Sequence, residues 1–363
     1  MPPRADLPHH VRVDRATVDV YERNARRWRR ARRRPEPPGL RAFAARVPPG
    51  PRADLGCGPG WHCAALGTPV VALDAAMAML AQVPEFAPGA LRVRADLEHL
   101  PFAPAALAGA WAHKSLMHVP AARVPMALAE IHRALRPGAP LALRMTCDQL
   151  QEPWDDPFPG RHFTHYRTEE LRDLVEGAGF EVTRATDDGA EWIDVEATRA
   201  RMLADTVGPG MRLLVVGLNP SLASADAGVG FAGPGNRFWP AALAAGLATR
   251  THDPFHLLRV DGVGMTNLVR RATARAAELA APEYRAGYAR LERLVRRFAP
   301  RAVCFVGITG YRLARDRRAG YGWQPEPVAG VPAYVMPNTS GLNAHARPED
   351  FVSHLRAALD PPR

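Results

Sequence analysis

The sequence predicts an α/β protein built as two successive domains, 1–205 and 206–363. Three observations predict it. Apolar runs of strand length alternate with helical segments in both parts. Several of these runs end in Gly, Asp or Asn, as strands do when they feed a loop that carries chemistry. The charge divides at the same place: residues 1–205 hold 27 Lys/Arg against 26 Asp/Glu, a net of +1, and residues 206–363 hold 20 against 11, a net of +9. A chain of 363 residues is also about two domains long.

Taken in order, residues 18–34 form a basic amphipathic helix that stops at PEPPG. RADLGCGPG (52–60) is a short strand running into a glycine turn, with a short helix after it. VVALD (70–74) is the second strand, and LRVRADLEHLPF (91–102) supplies the third. AGAWAHKSLMHV (108–119) follows, then a helix over 121–135 that ends at RPG, then the strand PLALRMT (140–146). A helix begins near Thr168, its expected N-cap, and 181–186 and 191–199 close the run as two strands. This is the order of a doubly wound sheet. After VGPGM (207–211) a second run starts: strands at 212–218, 301–310 and 331–341, with a long helix over 282–298.

Composition removes several classes. No apolar run approaches the roughly 18–20 residues of a membrane helix, and the N-terminus lacks the apolar core of a signal peptide. The expectation is an intracellular, cytoplasmic protein with no membrane partner. Four cysteines, at 57, 63, 147 and 304, neither pair as CxxC nor make a disulfide framework, and no metal is expected. The chain has one lysine, Lys114, so side-chain amine chemistry is confined to one position.

In DLGCGPG, glycines at 56, 58 and 60 let the backbone approach a ligand and aim a helix N-terminus at it. Asp74 ends the second strand, where a carboxylate can accept both hydroxyls of a ribose, and Asp96 ends the third, within reach of an adenine ring. These blocks, with RALRPGAPLAL and EELRDLVEGAGFEV, resemble the class I S-adenosylmethionine-dependent methyltransferases over about residues 15–200. The resemblance implies a Rossmann-like sheet and S-adenosylmethionine held by Gly56, Gly58, Asp74, Asp96 and Leu97. The stretch from Gly60 to Asp74 is short for that family, so the first helix should be stubby. His113 and His118 fall where the family often places substrate-side residues. An unperturbed histidine can be a general base near neutral pH; polar residues on a helix lip are the other reading. The methyl acceptor is not legible. Absence of Asn-Pro-Pro-Tyr and Pro-Cys sequences leaves small-molecule methylation as the default.

In the second part, the strand 212–218 delivers Asn219 into the loop GLNPSLASADAGVGFAGPGNRFW. An amide at a strand end can hold a water, yet it is a poor base. That suits departure of a good leaving group from a sugar through an oxocarbenium-like state, where positioning outweighs proton removal. Phe238 can stack on a planar base, Asn338 can read a polar edge, and Leu342 in SGLN can wedge into a base stack. The blocks GLNPSLASADAG, GPGNRFW, GVGMTNLV and VMPNTSGLN occur in the order found in the mismatch-specific uracil/thymine-DNA glycosylase family, which residues 206–358 resemble. The resemblance implies an α/β/α domain that flips uracil or thymine from a mispair with guanine in double-stranded DNA. It assigns the water to Asn219, the base pocket to Ser224, Phe238 and Asn338, and the wedge to Gly341, Leu342 and Asn343. Ser221 replaces the family's usual glycine, and Ala344 an arginine found in some members.

Negative evidence narrows the chemistry. No Gly-Gln-Asp-Pro-Tyr loop marks an aspartate-based enzyme, and Cys304 alone cannot hold an iron–sulfur cluster. With no lysine after residue 205, hydrolysis without lyase chemistry remains, and no cofactor is expected for this domain. The expected function is base-excision repair by a monofunctional glycosylase fused to a methyltransferase. The alternative is a small-molecule or RNA methyltransferase whose C-terminal part only binds nucleic acid.

Overall fold

The computed structural model describes residues 14–32, 36–148 and 156–362; Arg33 and Arg34 at the end of the expected first helix lie outside them. Contacts divide the chain into two compact units, residues 1–176 with 180–200, and residues 177–179 with 201–363.

The first unit is an eight-stranded sheet. Its strands are β1 (Arg52–Leu55), β2 (Val70–Asp74), β3 (Leu91–Arg94), β4 (Gly109–His113), β5 (Pro140–Cys147), β6 (His165–Tyr166), β7 (Phe180–Asp187) and β8 (Trp192–Arg199). The order is β3-β2-β1-β4-β5-β8-β7, with β6 paired to the end of β5. β1 to β5 run parallel, and β8 is antiparallel to both β5 and β7. The chain builds outward from β1 through β2 to β3 and then crosses to β4, so the switch point lies between β1 and β4. β1, β2 and β4 are buried on both faces except at their polar ends, as parallel strands under helices must be.

The leading helix spans Arg15–Ala31. Asp14 caps it by accepting from the Thr17 N–H at 3.0 Å, and Arg29 and Arg30 complement the dipole in its last turn. The helix after the glycine turn is four residues long, Cys63–Leu66, as the short spacing to Asp74 demands. Thr168 does not act as an N-cap. It is the first residue of its helix and its hydroxyl donates to Asp187, while Glu170 accepts the Arg167 N–H.

The second unit is a five-stranded sheet of β9 (Leu213–Gly217), β10 (Val263–Asn267), β11 (Val303–Val306), β12 (Gly322–Trp323) and β13 (Ala333–Met336). The order is β10-β9-β11-β13-β12, all parallel except the edge strand β12. β10 was not among the expected strands; Val-Gly-Met-Thr-Asn carries a glycine and no clean alternation. Here the chain passes from β9 out to β10 and crosses to β11, so the switch point lies between β9 and β11. The core on one face joins Leu213 and Val215 to Phe238, Trp239, Phe351 and Leu355. Among the described residues no helix is long and apolar enough to cross a membrane.

Candidate functional sites

In the first unit the glycine turn is shaped by its neighbours. Gly56 has φ of 74°, and a Cβ there would sit 2.2 Å from the Ser115 Cβ. A side chain is excluded by that contact as well as by the backbone. Gly58 has φ of 54° and open space where a Cβ would point. Asp74 ties the turn to its own strand: one carboxylate oxygen accepts the Gly58 N–H and the other the Ala76 N–H, both at 2.8 Å. Burial pushes its pKa up to about 6, with the two amides pulling the other way. Each oxygen keeps a lone pair for a ribose hydroxyl.

A cavity of 520 Å³ opens over this edge, lined by Gly56, Gly58, Asp74 and Leu97 and also by His113, Lys114 and His118. Asp96 lies two residues beyond β3, between Ala95 and Leu97 of the wall, and its carboxylate accepts the Glu98 N–H at 2.9 Å, closing the next turn.

His113 and His118 line the cavity, and burial changes what they can do. His118 Nδ1 donates to the His162 carbonyl at 2.7 Å, so Nε2 is the acceptor for the Tyr21 hydroxyl at 2.8 Å. Arg161 in turn donates to the Tyr21 oxygen at 2.8 Å. Burial holds the His118 pKa down to about 4 and that of His113 down to about 2, the latter also beside His62, Lys114 and Arg144. Burial therefore favours the neutral form of both rings. Tyr21 and Arg161 escaped the sequence reading, since they lie on separate elements.

In the second unit the candidate residues follow the carboxyl ends of β9 and β13. Asn219 follows β9. Its amide nitrogen donates to the Thr273 hydroxyl at 2.8 Å and to the Arg271 carbonyl at 3.1 Å. With the NH₂ group spent on anchoring, the oxygen is the group left to act. Gly217, at the end of β9, pairs with Asn267 at the end of β10, and a Cβ on Gly217 would lie 2.6 Å from the Asn267 Oδ1. The same Cβ would lie 3.4 Å from Phe231.

Phe231, not Phe238, is the aromatic at this edge. Phe238 is 0% exposed and begins a core helix, Phe238–Ala244. Phe231 covers it, stacked at 4.3 Å with planes 21° apart, and holds a left-handed backbone with φ of 58°. Phe238 therefore supports the ring that can face a base. An aromatic inside the glycine-rich GVGFAGPG stretch was the available signal. Ser224 is also reassigned. Buried, its hydroxyl oxygen accepts the Ala232 N–H at 3.3 Å and bonds Ser221 Oγ at 3.1 Å, stapling the loop. Ser221 caps the helix Leu222–Ala227.

The loop after β13 is a self-bonded turn. Asn338 is exposed at its start, and its Oδ1 accepts the Ser340 N–H at 2.9 Å; Asn343 Nδ2 donates to the Asn338 carbonyl at 2.8 Å. Gly341 sits so close to the facing loop that a Cβ would lie 3.0 Å from the Gly235 carbonyl oxygen. Leu342 at the tip is 95% exposed. Arg237 grips this loop from behind, donating to the carbonyls of Ser340 (2.8 Å), Asn343 (2.6 Å) and Ala346 (2.9 Å). Sequence reasoning passed over Arg237 because its partners are backbone atoms more than a hundred residues away.

Two strand-edge sites on two switch-point sheets define two classes of domain. Residues 53–143 match the family model described as a methyltransferase domain, and residues 204–360 match that of the uracil DNA glycosylase superfamily. The chain thus carries a methyltransferase domain followed by a domain of the uracil DNA glycosylase superfamily. Among solved structures, it is similar to an S-adenosylmethionine-dependent methyltransferase from Mesorhizobium loti at 22% identity, covering 45% of this chain and 96% of that one, with a TM-score of 0.39. It is also similar to the 1,6-didemethyltoxoflavin-N1-methyltransferase of Burkholderia thailandensis, at 19% identity over 55% and 93% of the two chains, with a TM-score of 0.42.

Proposed function

We propose that the protein is a base-excision glycosylase that hydrolyses uracil, or thymine, from a mispair with guanine in duplex DNA, with an S-adenosylmethionine-dependent methyltransferase in the same chain. One observation carries the glycosylase reading: Asn219 stands at the carboxyl edge of the sheet with its nitrogen pinned by Thr273 and the Arg271 carbonyl, leaving Oδ1 as a fixed acceptor. A fixed acceptor holds a water against the anomeric carbon without having to deprotonate it. Cleavage of the base–sugar bond builds positive charge on the sugar, and the oriented water then captures it. Phe231 supplies a ring for stacking on the flipped base, and Asn267 a polar edge beside it. Leu342 fills the vacated stack, on a loop that Arg237 holds in shape. The Arg excess of residues 206–363 neutralises phosphates. Since these residues include no lysine, the product is an intact abasic site.

In the first unit, Asp74 accepts the ribose hydroxyls, Leu97 packs on the base, and the Gly56–Gly58 turn admits the cofactor. Bound S-adenosylmethionine supplies an electrophilic methyl carbon. The test is a base-release assay on duplexes with uracil or thymine opposite guanine, run beside calorimetry of S-adenosylmethionine. Release from the mispairs and not from the matched duplexes supports the reading. No release from any uracil-containing duplex overturns it.

A further inference from the structure

The first unit's cavity carries polar groups with no assigned role. Four buried atoms on its wall have no hydrogen-bond partner among the described residues: the indole nitrogens of Trp28 and Trp61, the Ser115 hydroxyl and Nε2 of His113. Buried polar groups are almost always matched, so four on one wall point to a ligand that matches them. The wall is also rich in aromatic rings: Tyr21, Trp28, Trp61 and Trp192 all line it. Such a lining favours a planar aromatic ligand.

Lys114 adds the charge. The chain's single lysine sits just past β4 with φ of 61°, a backbone region that non-glycine residues seldom occupy and that concentrates at functional sites. Its Nζ lies 3.6 Å over the Trp192 ring. The ring face that would attract a cationic amine is therefore taken. Burial, with Arg144 beside it, holds the ammonium pKa down to about 8 against the opposite pull of Glu191 and Asp188, so it stays charged at neutral pH. The other charged groups on the wall are balanced differently: Arg161 is paired with Asp156 and Tyr21, Arg32 lies at the rim, and Asp14 and Glu191 are the carboxylates besides Asp74.

We propose that the cavity beside Lys114 binds a planar aromatic hydroxy compound as its oxyanion, with Lys114 as counter-ion, and that the oxyanion is the methyl acceptor. The inference rests on the methyltransferase reading above. The hydroxyl proton leaves to solvent before transfer. An oxygen lone pair attacks the sulfonium methyl carbon, an O–CH₃ bond forms, and the S–CH₃ bond breaks with its electron pair left on sulfur.

The full chain tests this with 7-hydroxycoumarin as probe, and tryptamine and cyclohexylmethanol as controls. S-adenosylmethionine affinity is measured separately by calorimetry. The expected result is binding and O-methylation of hydroxycoumarin, with kcat/KM rising as the probe ionises, and no transfer to either control. Lys114→Met should lower kcat/KM by about 30-fold or more, the scale of a lost charge-assisted contact, with cofactor affinity held within about twofold. Trp61→Phe keeps the ring, removes one unmatched donor and should weaken hydroxycoumarin binding by about 5–10-fold; it serves if Lys114→Met does not fold. Intact cofactor binding with no hydroxycoumarin binding or transfer overturns the proposal. So does preferential methylation of tryptamine, or unchanged kcat/KM in both variants. Failure of the parent to bind S-adenosylmethionine would instead bring down the methyltransferase reading, and this proposal with it.

Discussion

The site at Asp74 and the site at Asn219 share an address. Each lies at the carboxyl edge of a parallel sheet, by the switch point where the chain reverses its winding. They differ in what surrounds the strand end. Around Asp74 the wall closes into a cavity of 520 Å³ with aromatic rings and unmatched polar atoms. Around Asn219 the amide is already tied down by Thr273 and Arg271, and the neighbouring loop thrusts a leucine that is 95% exposed into solvent. The first arrangement has polar atoms without partners inside an enclosed space. The second has its amide nitrogen satisfied and an apolar side chain in the open. A common topology therefore says where chemistry happens, while the state of the polar groups there says what kind of ligand is expected.

The contrast between support and contact is sharpest in the aromatic pair. Phe238→Ala empties a fully buried position in the second unit's core and should cost about 3–5 kcal/mol, read as a fall in the denaturant midpoint of that unit. Phe231→Ala should leave stability nearly unchanged while slowing base release. The opposite pattern would restore Phe238 as the stacking residue.

Asp74→Ala should weaken S-adenosylmethionine binding by about 30–150-fold by calorimetry, the loss of a charge-assisted pair of contacts, and leave base release untouched. Acid should mimic it. The Asp74 pKa lies near 6, above the ordinary carboxylate value, so the carboxylate is lost as pH falls through that point. Cofactor affinity should then drop by up to about tenfold per unit below pH 6. Stability runs the other way: the raised pKa means that the folded state takes up the proton first, so Asp74 costs stability that is regained on acidification between the ordinary carboxylate pKa and about 6. Affinity independent of pH across this window would remove Asp74 from the cofactor site.

A smaller effect should come from Arg237→Ala, which frees the wedge loop without touching Leu342 itself. Base release at subsaturating enzyme should fall by about 5–10-fold, the worth of one or two charge-assisted bonds, and additional mutation of Leu342 to Ala should add little, because the two act through one loop. Fully additive losses would mean that Arg237 matters for something else.

Much of this was legible in the sequence. VVALD reads as β2 to the residue, since an apolar run that ends on an acid has one place in a doubly wound sheet. The glycine turn reads too, because close backbone approach needs glycine, as the 2.2 Å contact at Gly56 shows. What was not legible depends on tertiary structure. The two histidines lose their basicity through burial, which residue type does not reveal. The left-handed backbone that lifts Phe231 over Phe238 has no signature in a non-glycine residue. Asp96 lies two residues past β3, and the turn that its carboxylate closes through the Glu98 N–H is not revealed by an acidic strand-end pattern.

On the proposed mechanism, the second unit performs its chemistry by holding a water on Asn219. Single-turnover base release from a uracil–guanine duplex tests it most directly, because it isolates the chemical step from product release. The account predicts that Asn219→Ala slows that step by about 100–1000-fold, the scale of one lost preorganised polar group, with affinity for the mispaired duplex nearly unchanged. A variant that releases uracil at the parental single-turnover rate would contradict it.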